Sequence, residues 1–433
     1  MICSEINMNV LNRLSLRGTL VPKQSQQETI GLAKKTALDL FKYCRLNNWA
    51  GFDPYDGLNS PIFKWLPFFQ NRLPRLIFIQ FMKRSKINFR AIMGIPKGQN
   101  PKGLALFSSS LIRLLDIGII NDSNVVISVI NQLIHKKTPN QPYMCWGYNF
   151  DWQQRKLLVP KYTPNIICTT FAGNALLDAY EKFEDSSYLE MALSAGDFVI
   201  RGLNISESKN GICFSYTPLD RGHVHNANLL GAAYLARLYR ISGDKEFFNY
   251  ALSAARFSVA RQAPDGSWPY GENEVQKWID NFHTGYNLVA LQKFSRYTGN
   301  REFEENIKKS FKFYINNFFT DGYLAKYYHN RLYPIDIHAI AQSIVTLMEL
   351  NELGQNNMNI ALSICKWGID NMKNKEGYFY YQKNRFYMNR IPYMRWSQAW
   401  MLLALSTLLE KCEQISTVAQ VSSSLIPQDF VSV

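Results

Sequence analysis

Several features of secreted and membrane proteins are missing from this sequence. Residues Met1 to Leu20 lack the charged start, apolar centre and small-residue cleavage site of a signal peptide. No apolar run reaches the length of a membrane span. The seven cysteines are scattered and odd in number, which argues against a disulfide framework. Together these absences predict a reduced, cytoplasmic protein without a transmembrane segment.

Signals for a parallel sheet and for a metal centre are also missing. No stretch alternates strands with helices, as a parallel sheet would require. His223 and His225 form an H-x-H pair, but no further ligands accompany them at metal spacing. A zinc site needs three or four such groups, so we expect no metal and no cofactor.

What the sequence does have is basic charge and many apolar side chains. The chain of 433 residues is 47% hydrophobic and 14% aromatic, enough for a large core, and its net charge is +14. This charge favours anionic partners such as nucleotide sugars, acidic glycans, nucleic acid or a membrane face. A basic, soluble surface is an equally good interpretation, because the only dense cluster is Lys83-Arg84-Ser85-Lys86. No motif supports nucleic-acid binding.

One stretch, from Pro61 to Phe81, is apolar enough to touch a membrane surface. Its prolines break any long helix, so we expect it to pack between the first helices instead.

A repeated segment organises most of the chain. Turn glycines at 211, 266, 322 and 377 are spaced by 55, 56 and 55 residues, and each precedes an aromatic run and then a helix. A period slightly above fifty residues indicates one supersecondary unit copied several times.

The repeats alternate two kinds of helix. One helix of each pair is apolar on most sides and the other carries Lys, Arg and Glu on one face, which predicts an inner and an outer helix. The six inner helices are predicted to begin near Pro101, Pro164, His225, Asp280, Asp336 and Tyr393. The predicted fold is therefore all-α, an (α/α)6 toroid of six helical hairpins with aromatic turns at one end. We expect a flexible arm over residues 1–20, the toroid domain over 21–413 and a disordered tail over 414–433.

The loops that enter the inner helices of such a ring gather around a central funnel. Asp280 and Asp336 occupy matching places in successive units, as do His283 and His338. A paired acid and base suits glycosidic cleavage, elimination next to a uronate, or epimerisation. Asp280 and His283 are the favoured pair, because an i, i+3 spacing places both on one helical face. Asp336 and His338 meet only if Asp336 caps the helix and His338 turns inward.

Each of these four residues also has a purely structural interpretation. The aspartates stand where N-caps belong, and the histidines suit buried positions in the funnel wall. Capping does not exclude a second role.

Other polar and aromatic residues are expected to contact a ligand in the funnel. Arg395 suits either a clamp for a carboxylate or phosphate, or a cation–π contact with Trp396. Aromatic side chains in the turns suit either stacking on sugar rings or closing the end of the barrel. The predicted ligand-contacting residues are Asp53, Tyr55, Asp56, Asp151, Trp152, Asn165, Tyr216, Asp220, His225, Asn226, Trp268, Tyr270, Trp278, Tyr328, Arg390, Arg395 and Trp396.

Five segments resemble one bacterial family. They are GFDPYDGLNSP (51–61), TPNIICTTFAGNALLDAYE (163–181), DGSWPYGENEVQKWIDNFHTGYNL (265–288), YPIDIHAIAQSI (333–344) and GYFYYQKNRFYMNRIPYMRWSQAWM (377–401). They are similar to VpsJ-type polysaccharide biosynthesis proteins, which are associated with exopolysaccharide and O-antigen gene clusters. The resemblance implies a six-hairpin glycosidase-like toroid that handles a carbohydrate or nucleotide sugar, alone or with other assembly proteins. It implies no catalytic residues, and the pair His223 and His225 departs from the family's pattern.

Two other classes of function stay open at this point. Gln262 with Asp265-Gly266-Ser267-Trp268 is similar to the Gln-Trp repeat of triterpene cyclases, which suggests a terpenoid-cyclase or prenyltransferase toroid. That chemistry needs a clustered acid or an Asp-rich diphosphate site, for which Asp53-Pro54-Tyr55-Asp56 is a poor substitute. A non-catalytic toroid that binds glycan or scaffolds an assembly complex is the other alternative. A hydrolase, lyase or epimerase is the preferred prediction.

Overall fold

Twelve of the helices form two concentric rings. The computed structural model describes residues 23–65, 71–154 and 157–424. In chain order the helices are α1 (Lys23–Leu46), α2 (Ile62–Trp65), α3 (Arg72–Arg84), α4 (Pro101–Asp116), α5 (Ser123–His135), α6 (Ile166–Phe183), α7 (Ser186–Asp197), α8 (His225–Ser242), α9 (Lys245–Val259), α10 (Asn281–Thr298), α11 (Glu304–Phe318), α12 (Ile337–Glu349), α13 (Asn357–Met372) and α14 (Trp400–Ser424). The inner ring runs α4, α6, α8, α10, α12 and α14, and α14 packs back on α4. The fold is thus the predicted (α/α)6 toroid.

The outer ring begins with the first helix of the chain. Helices α5, α7, α9, α11 and α13 each pack on the inner helix before them, and α1 packs on α13 and α14. The N-terminal helix therefore supplies the outer member of the last hairpin and closes the ring.

Short antiparallel ribbons decorate the loops between hairpins. They are β1 (Trp152–Gln153) with β2 (Leu158–Val159), β3 (Ile205–Ser208) with β4 (Gly211–Phe214), and the sheet of β5 (Ile335–Asp336), β6 (Gln382–Lys383) and β7 (Met388–Asn389). The longest pair is in register from Ile205 opposite Phe214 to Ser208 opposite Gly211.

The recurring glycine is explained by its contact with an outer helix. Gly211, Gly266 and Gly377 all have positive φ, at 122°, 92° and 94°. A Cβ on these residues would lie 2.1, 2.5 and 2.9 Å from backbone carbonyl oxygens of α9, α11 and α1 respectively. A side chain would therefore collide with backbone at every one of these turns. The fourth turn differs, since Gly322 meets open space and Tyr323 takes the positive φ of 56°.

A second repeated contact joins neighbouring units at the end of the ring where the inner helices begin. The first backbone N–H of α6, α8, α10 and α12 donates to the carbonyl of an aromatic residue in the next unit. The pairs are Ile166 with Tyr216 (3.0 Å), His225 with Tyr270 (3.1 Å), Asn281 with Tyr327 (2.9 Å) and Ile337 with Tyr381 (3.1 Å). The first N–H groups of a helix have no partner within the helix. These bonds satisfy one such group in each of the four helices and hold the aromatic turns at that end of the ring.

The chain ends and the segment 61–81 were also the subject of predictions. The predicted arm over 1–20 lies outside the described residues, and α14 continues to Ser424, through half of the predicted tail. The expectation that 61–81 is buried is wrong for α3, where Leu73, Ile77 and Phe81 are 65%, 61% and 51% exposed. No helix among the described residues has the length and apolar character to cross a bilayer.

Candidate functional site

Asp280 and His283 form a hydrogen-bonded pair at the start of α10. Asp280 is the N-cap, and one of its oxygens accepts from the backbone N–H of His283 at 2.9 Å. Its other oxygen lies 2.7 Å from Nδ1 of the His283 ring and accepts from Nε1 of Trp278 at 3.1 Å. The aspartate is buried, whereas the His283 side chain is 21% exposed. A carboxylate on Nδ1 fixes the tautomer and leaves Nε2 as an acceptor.

Two aromatic rings flank this pair. Tyr270 lies with its ring centroid 4.5 Å from that of His283, and it stacks on Trp278 at 4.6 Å with an interplanar angle of 13°. The loop before α10 thus brings the predicted residues Tyr270 and Trp278 together beside His283. A flat aromatic face next to a base is a suitable surface for a sugar ring.

The second predicted pair is arranged differently. Asp336 caps α12 and accepts from the backbone N–H of His338 at 2.8 Å, from Trp396 Nε1 at 3.0 Å and from Gln382 Nε2 at 2.5 Å. Burial raises the pKa of Asp336 to about 6. Asp336 caps the helix and the His338 side chain is buried, yet the two side chains do not bond to each other. The imidazole of His338 bonds to Tyr286 instead, with Nε2 2.6 Å from the phenol oxygen.

His338 is enclosed by aromatic rings. Phe282 and Trp400 stack on it at centroid distances of 4.5 Å each. Burial lowers the pKa of His338 well below its usual range, so the ring is neutral. Its Nδ1 is buried and has no hydrogen-bond partner in the described part of the chain.

Three residues predicted to contact a substrate are already paired inside the protein. The guanidinium of Arg395 binds Asp53 with two bonds of 2.6 and 2.8 Å, and both side chains are buried. Asp56 pairs with buried Arg90 at 2.6 Å. Burial raises the pKa of Asp56 to about 6 in spite of this arginine. Arg395 also lies 5.5 Å from the Trp396 ring, which agrees with the cation–π alternative rather than with a free clamp.

Tyr55 is paired with a cation from outside the predicted set. Lys83, on α3, reaches from outside the inner ring and places Nζ 2.7 Å from the Tyr55 phenol oxygen. The pKa of Lys83 is raised, because nearby Tyr55 and Asp336 offset the effect of burial.

Lys102 was not predicted, and it is the most unusual cation in the ring. It is the second residue of α4, it is buried, and no hydrogen bond or ion pair of its ammonium group is found among the described residues. Its Nζ instead lies 4.5, 5.3 and 5.1 Å from the ring centroids of Phe171, Tyr286 and Trp400. Burial lowers the pKa of Lys102 to about 7, with a further contribution from the positive charge of Arg395. A lysine with such a pKa exchanges protons readily near neutrality.

A second aromatic group joins the predicted residues Trp152 and Tyr216 to Tyr148, which is outside the predicted set. Its phenol oxygen is 3.1 Å from that of Tyr216, and Trp152 lies 5.5 Å from the Tyr216 ring. Arg395 lies 5.3 Å from the Tyr148 ring, which connects this group to the ion pair with Asp53.

Several other predicted residues have structural partners. Asn165 caps α6 through a 2.8 Å bond from the Cys168 N–H, and Asp220 accepts from Thr217 and Gly222 within its own loop. Trp268 is buried and donates to the Ser258 carbonyl at 2.8 Å. Asp151 accepts from the backbone N–H of Lys161.

The last predicted residues lie on or near the aromatic turns. His225 and Asn226 are buried at the start of α8, and burial lowers the pKa of His225 to about 4. Arg331 lies over Tyr328 at 4.2 Å. Arg390 is exposed and lies 5.6 Å from the ring of Tyr380.

Three of the missed residues share a reason. Lys102, Tyr286 and Trp400 sit within inner helices and become neighbours only when the ring closes. Position 102 reads as the polar first turn of an apolar helix, so no spacing in the sequence could have marked it. In the described residues no group of three or more His, Cys, Asp or Glu is placed to hold a metal ion.

Comparisons with known proteins support the fold. No family model matches the sequence, and no curated protein does either. Among solved structures, a cellobiose 2-epimerase from Bacillus thermoamylovorans superposes with a TM-score of 0.58 at 11% identity, covering 73% of this chain and 88% of that chain. A GH76 α-mannanase from Bacteroides thetaiotaomicron gives 0.56 at 13% identity, covering 75% and 90%. A D-mannose isomerase gives 0.56 at 11% identity, covering 73% and 87%. At these identities the likeness establishes a shared six-hairpin toroid.

Proposed function

We propose that this protein is an enzyme that acts on a sugar by acid/base chemistry in the central funnel, with His283 as the proton-transferring base. The observation that carries the proposal is the geometry of the pair: Asp280 holds Nδ1 of His283 at 2.7 Å while the imidazole stays partly exposed. A histidine oriented in this way by a buried carboxylate is a common arrangement for a general base.

The hydrogen bonds favour epimerisation or isomerisation over hydrolysis. Glycosidases of the usual kind place two carboxyl groups on the scissile bond, one as acid and one as base or nucleophile. Here Asp280 accepts from His283 and Trp278, and Asp336 accepts from His338, Trp396 and Gln382. Because both carboxylates are buried and occupied, His283 is the better candidate to act on substrate, by removing a proton from carbon.

A second proton carrier lies close by. His338 is neutral and shares a hydrogen bond with the Tyr286 phenol, whose ring centroid is 5.9 Å from that of His283. In the proposed step His283 removes the proton from carbon and the Tyr286 phenol donates its own proton to the resulting carbanion. His338 Nε2 then returns a proton to the Tyr286 oxygen, and His283 releases the proton it took to solvent. The sugar epimerases and the isomerase that share this fold make the same reaction class reasonable for this chain.

The proposal extends to the biological setting. The resemblance of five segments to VpsJ-type proteins supports a role in surface-polysaccharide production, and the net charge of +14 suits an anionic sugar or nucleotide sugar. The six described cysteines are all free and buried, which agrees with a reducing compartment such as the cytoplasm.

Deuterium exchange tests the reaction class directly. The protein is incubated in D₂O with reducing sugars, uronate oligosaccharides and nucleotide sugars, and ¹H NMR follows the loss of ring C–H signals. We expect exchange with at least one of these classes, and a decrease of about 100-fold or more for His283→Ala. Asp280→Asn should also slow exchange, because an amide that donates to Nδ1 selects the wrong tautomer.

A matched histidine serves as the control. His135 is exposed in the last turn of the outer helix α5, where its ring bonds to the Asn131 carbonyl, so His135→Ala should exchange at the parent rate. New reducing ends without deuterium in the sugar would identify a hydrolase and overturn the epimerase proposal.

A non-catalytic glycan-binding or scaffold protein is the second candidate. The observation in its favour is that the centre of the ring is filled by aromatic side chains, with Phe282, Trp396 and Trp400 each 5% exposed or less. Glycan binding by calorimetry without exchange or cleavage of any tested sugar would support this candidate.

A further inference from the structure

The outer face of α3 is apolar and open to solvent. Leu73, Ile77 and Phe81 follow one another at four-residue intervals, so they share one side of the helix. They are 65%, 61% and 51% exposed, and in the loop after the helix Ile87 and Ile92 are 55% and 81% exposed. We call these five residues the apolar patch. On the opposite side of the helix, Ile79 and Met82 are buried.

The same part of the chain carries a concentrated positive charge. Between Asp56 and Asp116 the sequence has ten Lys or Arg and not one Asp or Glu. Two of these cations are buried, Arg90 with its carboxylate partner and Lys102 among aromatic rings. The basic residues exposed beside the apolar patch are Arg72, Arg84, Lys86 and Lys97.

From this combination we infer that the face formed by α3 and its following loop docks on an anionic lipid bilayer surface. Large exposed apolar side chains with flanking Lys and Arg are the usual composition of a helix that lies in the bilayer interface. Nucleic acids and acidic polysaccharides would engage the charges but would leave the aliphatic side chains in water. Membrane docking accounts for both features, and it does not depend on the proposed sugar chemistry.

The docking face is held against the loops that lead to the funnel. Lys83 of α3 bonds to Tyr55 at 2.7 Å, and Asn389 of β7 donates to the Ser85 carbonyl at 2.9 Å. The Arg90–Asp56 pair fastens the loop after the helix to the same region. This corollary, unlike the docking itself, rests on the proposed function: a protein docked by this face would work on a sugar held close to the lipid surface.

Vesicle co-sedimentation of the full chain tests the inference. Vesicles of phosphatidylcholine mixed with phosphatidylglycerol should bind the protein, whereas phosphatidylcholine alone should bind it weakly. The triple variant Leu73→Gln, Ile77→Gln, Phe81→Gln should lose about tenfold or more in binding, because three side chains no longer enter the interface. Arg84→Gln with Lys86→Gln should weaken binding and its salt dependence.

The matched control is a second triple variant, Leu219→Gln, Phe386→Gln, Ile415→Gln. These three side chains are also apolar and exposed, but they lie outside α3 and the loop after it. The control should bind vesicles like the parent. Equal binding by the parent and the α3 triple variant would overturn the inference, as would no binding by the parent. Two further results would also overturn it. One is light scattering that shows a dimer for the parent and a monomer for the α3 triple variant, and the other is binding of the parent to an acidic polypeptide but not to vesicles.

Discussion

At the scale of single residues, Lys102 shows how burial changes the chemistry of a side chain. Its ammonium is surrounded by the faces of Phe171, Tyr286 and Trp400, which offset only part of the cost of removing a charge from water. The lowered pKa reports that remaining cost. A cation kept in this position at the expense of stability is a strong candidate for a role at the site.

The pKa of Lys102 predicts how stability changes with pH. Below pH 7 both the folded and the unfolded chain hold the proton, so the full cost of the buried charge is present. Between about 7 and 10.5 the unfolded chain binds more protons, so the free energy of unfolding rises with pH. Lys102→Met removes the charge and keeps the volume.

We therefore expect Lys102→Met to be more stable than the parent below pH 7, by about 1–3 kcal/mol, with the difference shrinking as the pH rises through this window. Urea unfolding at a pH on each side of 7 measures it, with Lys97→Met on the exposed surface as control. A difference that grows with pH would contradict the lowered pKa.

Residue-scale predictions from sequence succeeded where the contact is local. Asp280 and His283 are three residues apart on one helix, so spacing alone predicted their pairing. The partner of Arg395 is Asp53, 342 residues away, and no local pattern contains that information. The sequence therefore offers a substrate clamp or a cation–π contact with Trp396 for Arg395, but not the buried carboxylate that pairs with it.

At the scale of helices, close approach between inner helices depends on small residues. A Cβ on Gly173 of α6 would lie 2.1 Å from the phenol oxygen of Tyr234 on α8, and that oxygen donates to the Ala192 carbonyl. By contrast, a Cβ on Gly31 of α1 would meet no atom within 4 Å.

These two glycines give opposite predictions for the same substitution. Gly173→Ala should destabilise the protein by about 1–3 kcal/mol, because Tyr234 must leave its hydrogen bond. Gly31→Ala should stabilise it by about 0.5–1 kcal/mol, since alanine loses less backbone entropy in a helix. Thermal unfolding of both variants tests this through the change in Tm. Equal changes in Tm would show that α6 and α8 are not in close contact.

The boundaries of the helices were predictable because apolar periodicity is a property of the chain itself. The predicted starts at Pro101, His225, Asp280 and Asp336 each fall within one residue of the observed helices. The predicted start at Pro164 is two residues early, since α6 begins at Ile166. The largest departure is α14, which was predicted to begin near Tyr393 and begins at Trp400 after a π-helical turn over Met394–Ala399. That turn carries Arg395 and Trp396 to their partners on the N-terminal loop and at Asp336, and such tertiary contacts override local pattern.

At the scale of the whole molecule, the ring is closed by contacts between distant parts of the chain. Asp53 and Arg395 join the N-terminal loop to the last hairpin, and Lys373 pairs with Asp39 of α1 at 2.6 Å. Asp53→Asn should cost about 3–5 kcal/mol, because it leaves the Arg395 charge buried and unpaired.

A double variant separates the charge from the packing. Asp53→Leu with Arg395→Met removes both charges, so urea unfolding should give a loss well below the sum of the two single variants. Additive losses would contradict a direct buried pair.

The packing of α1 on the last hairpin also affects folding during synthesis. This helix leaves the ribosome long before α13 and α14, against which it finally rests. Its apolar side stays exposed to solvent, or bound by a chaperone, until the rest of the toroid has been synthesised. That side includes Ala33, Ala37 and Leu40. Circular permutants that place α1 directly after α14 would abolish that delay, and in cell-free translation they should give a larger soluble fraction than the parent.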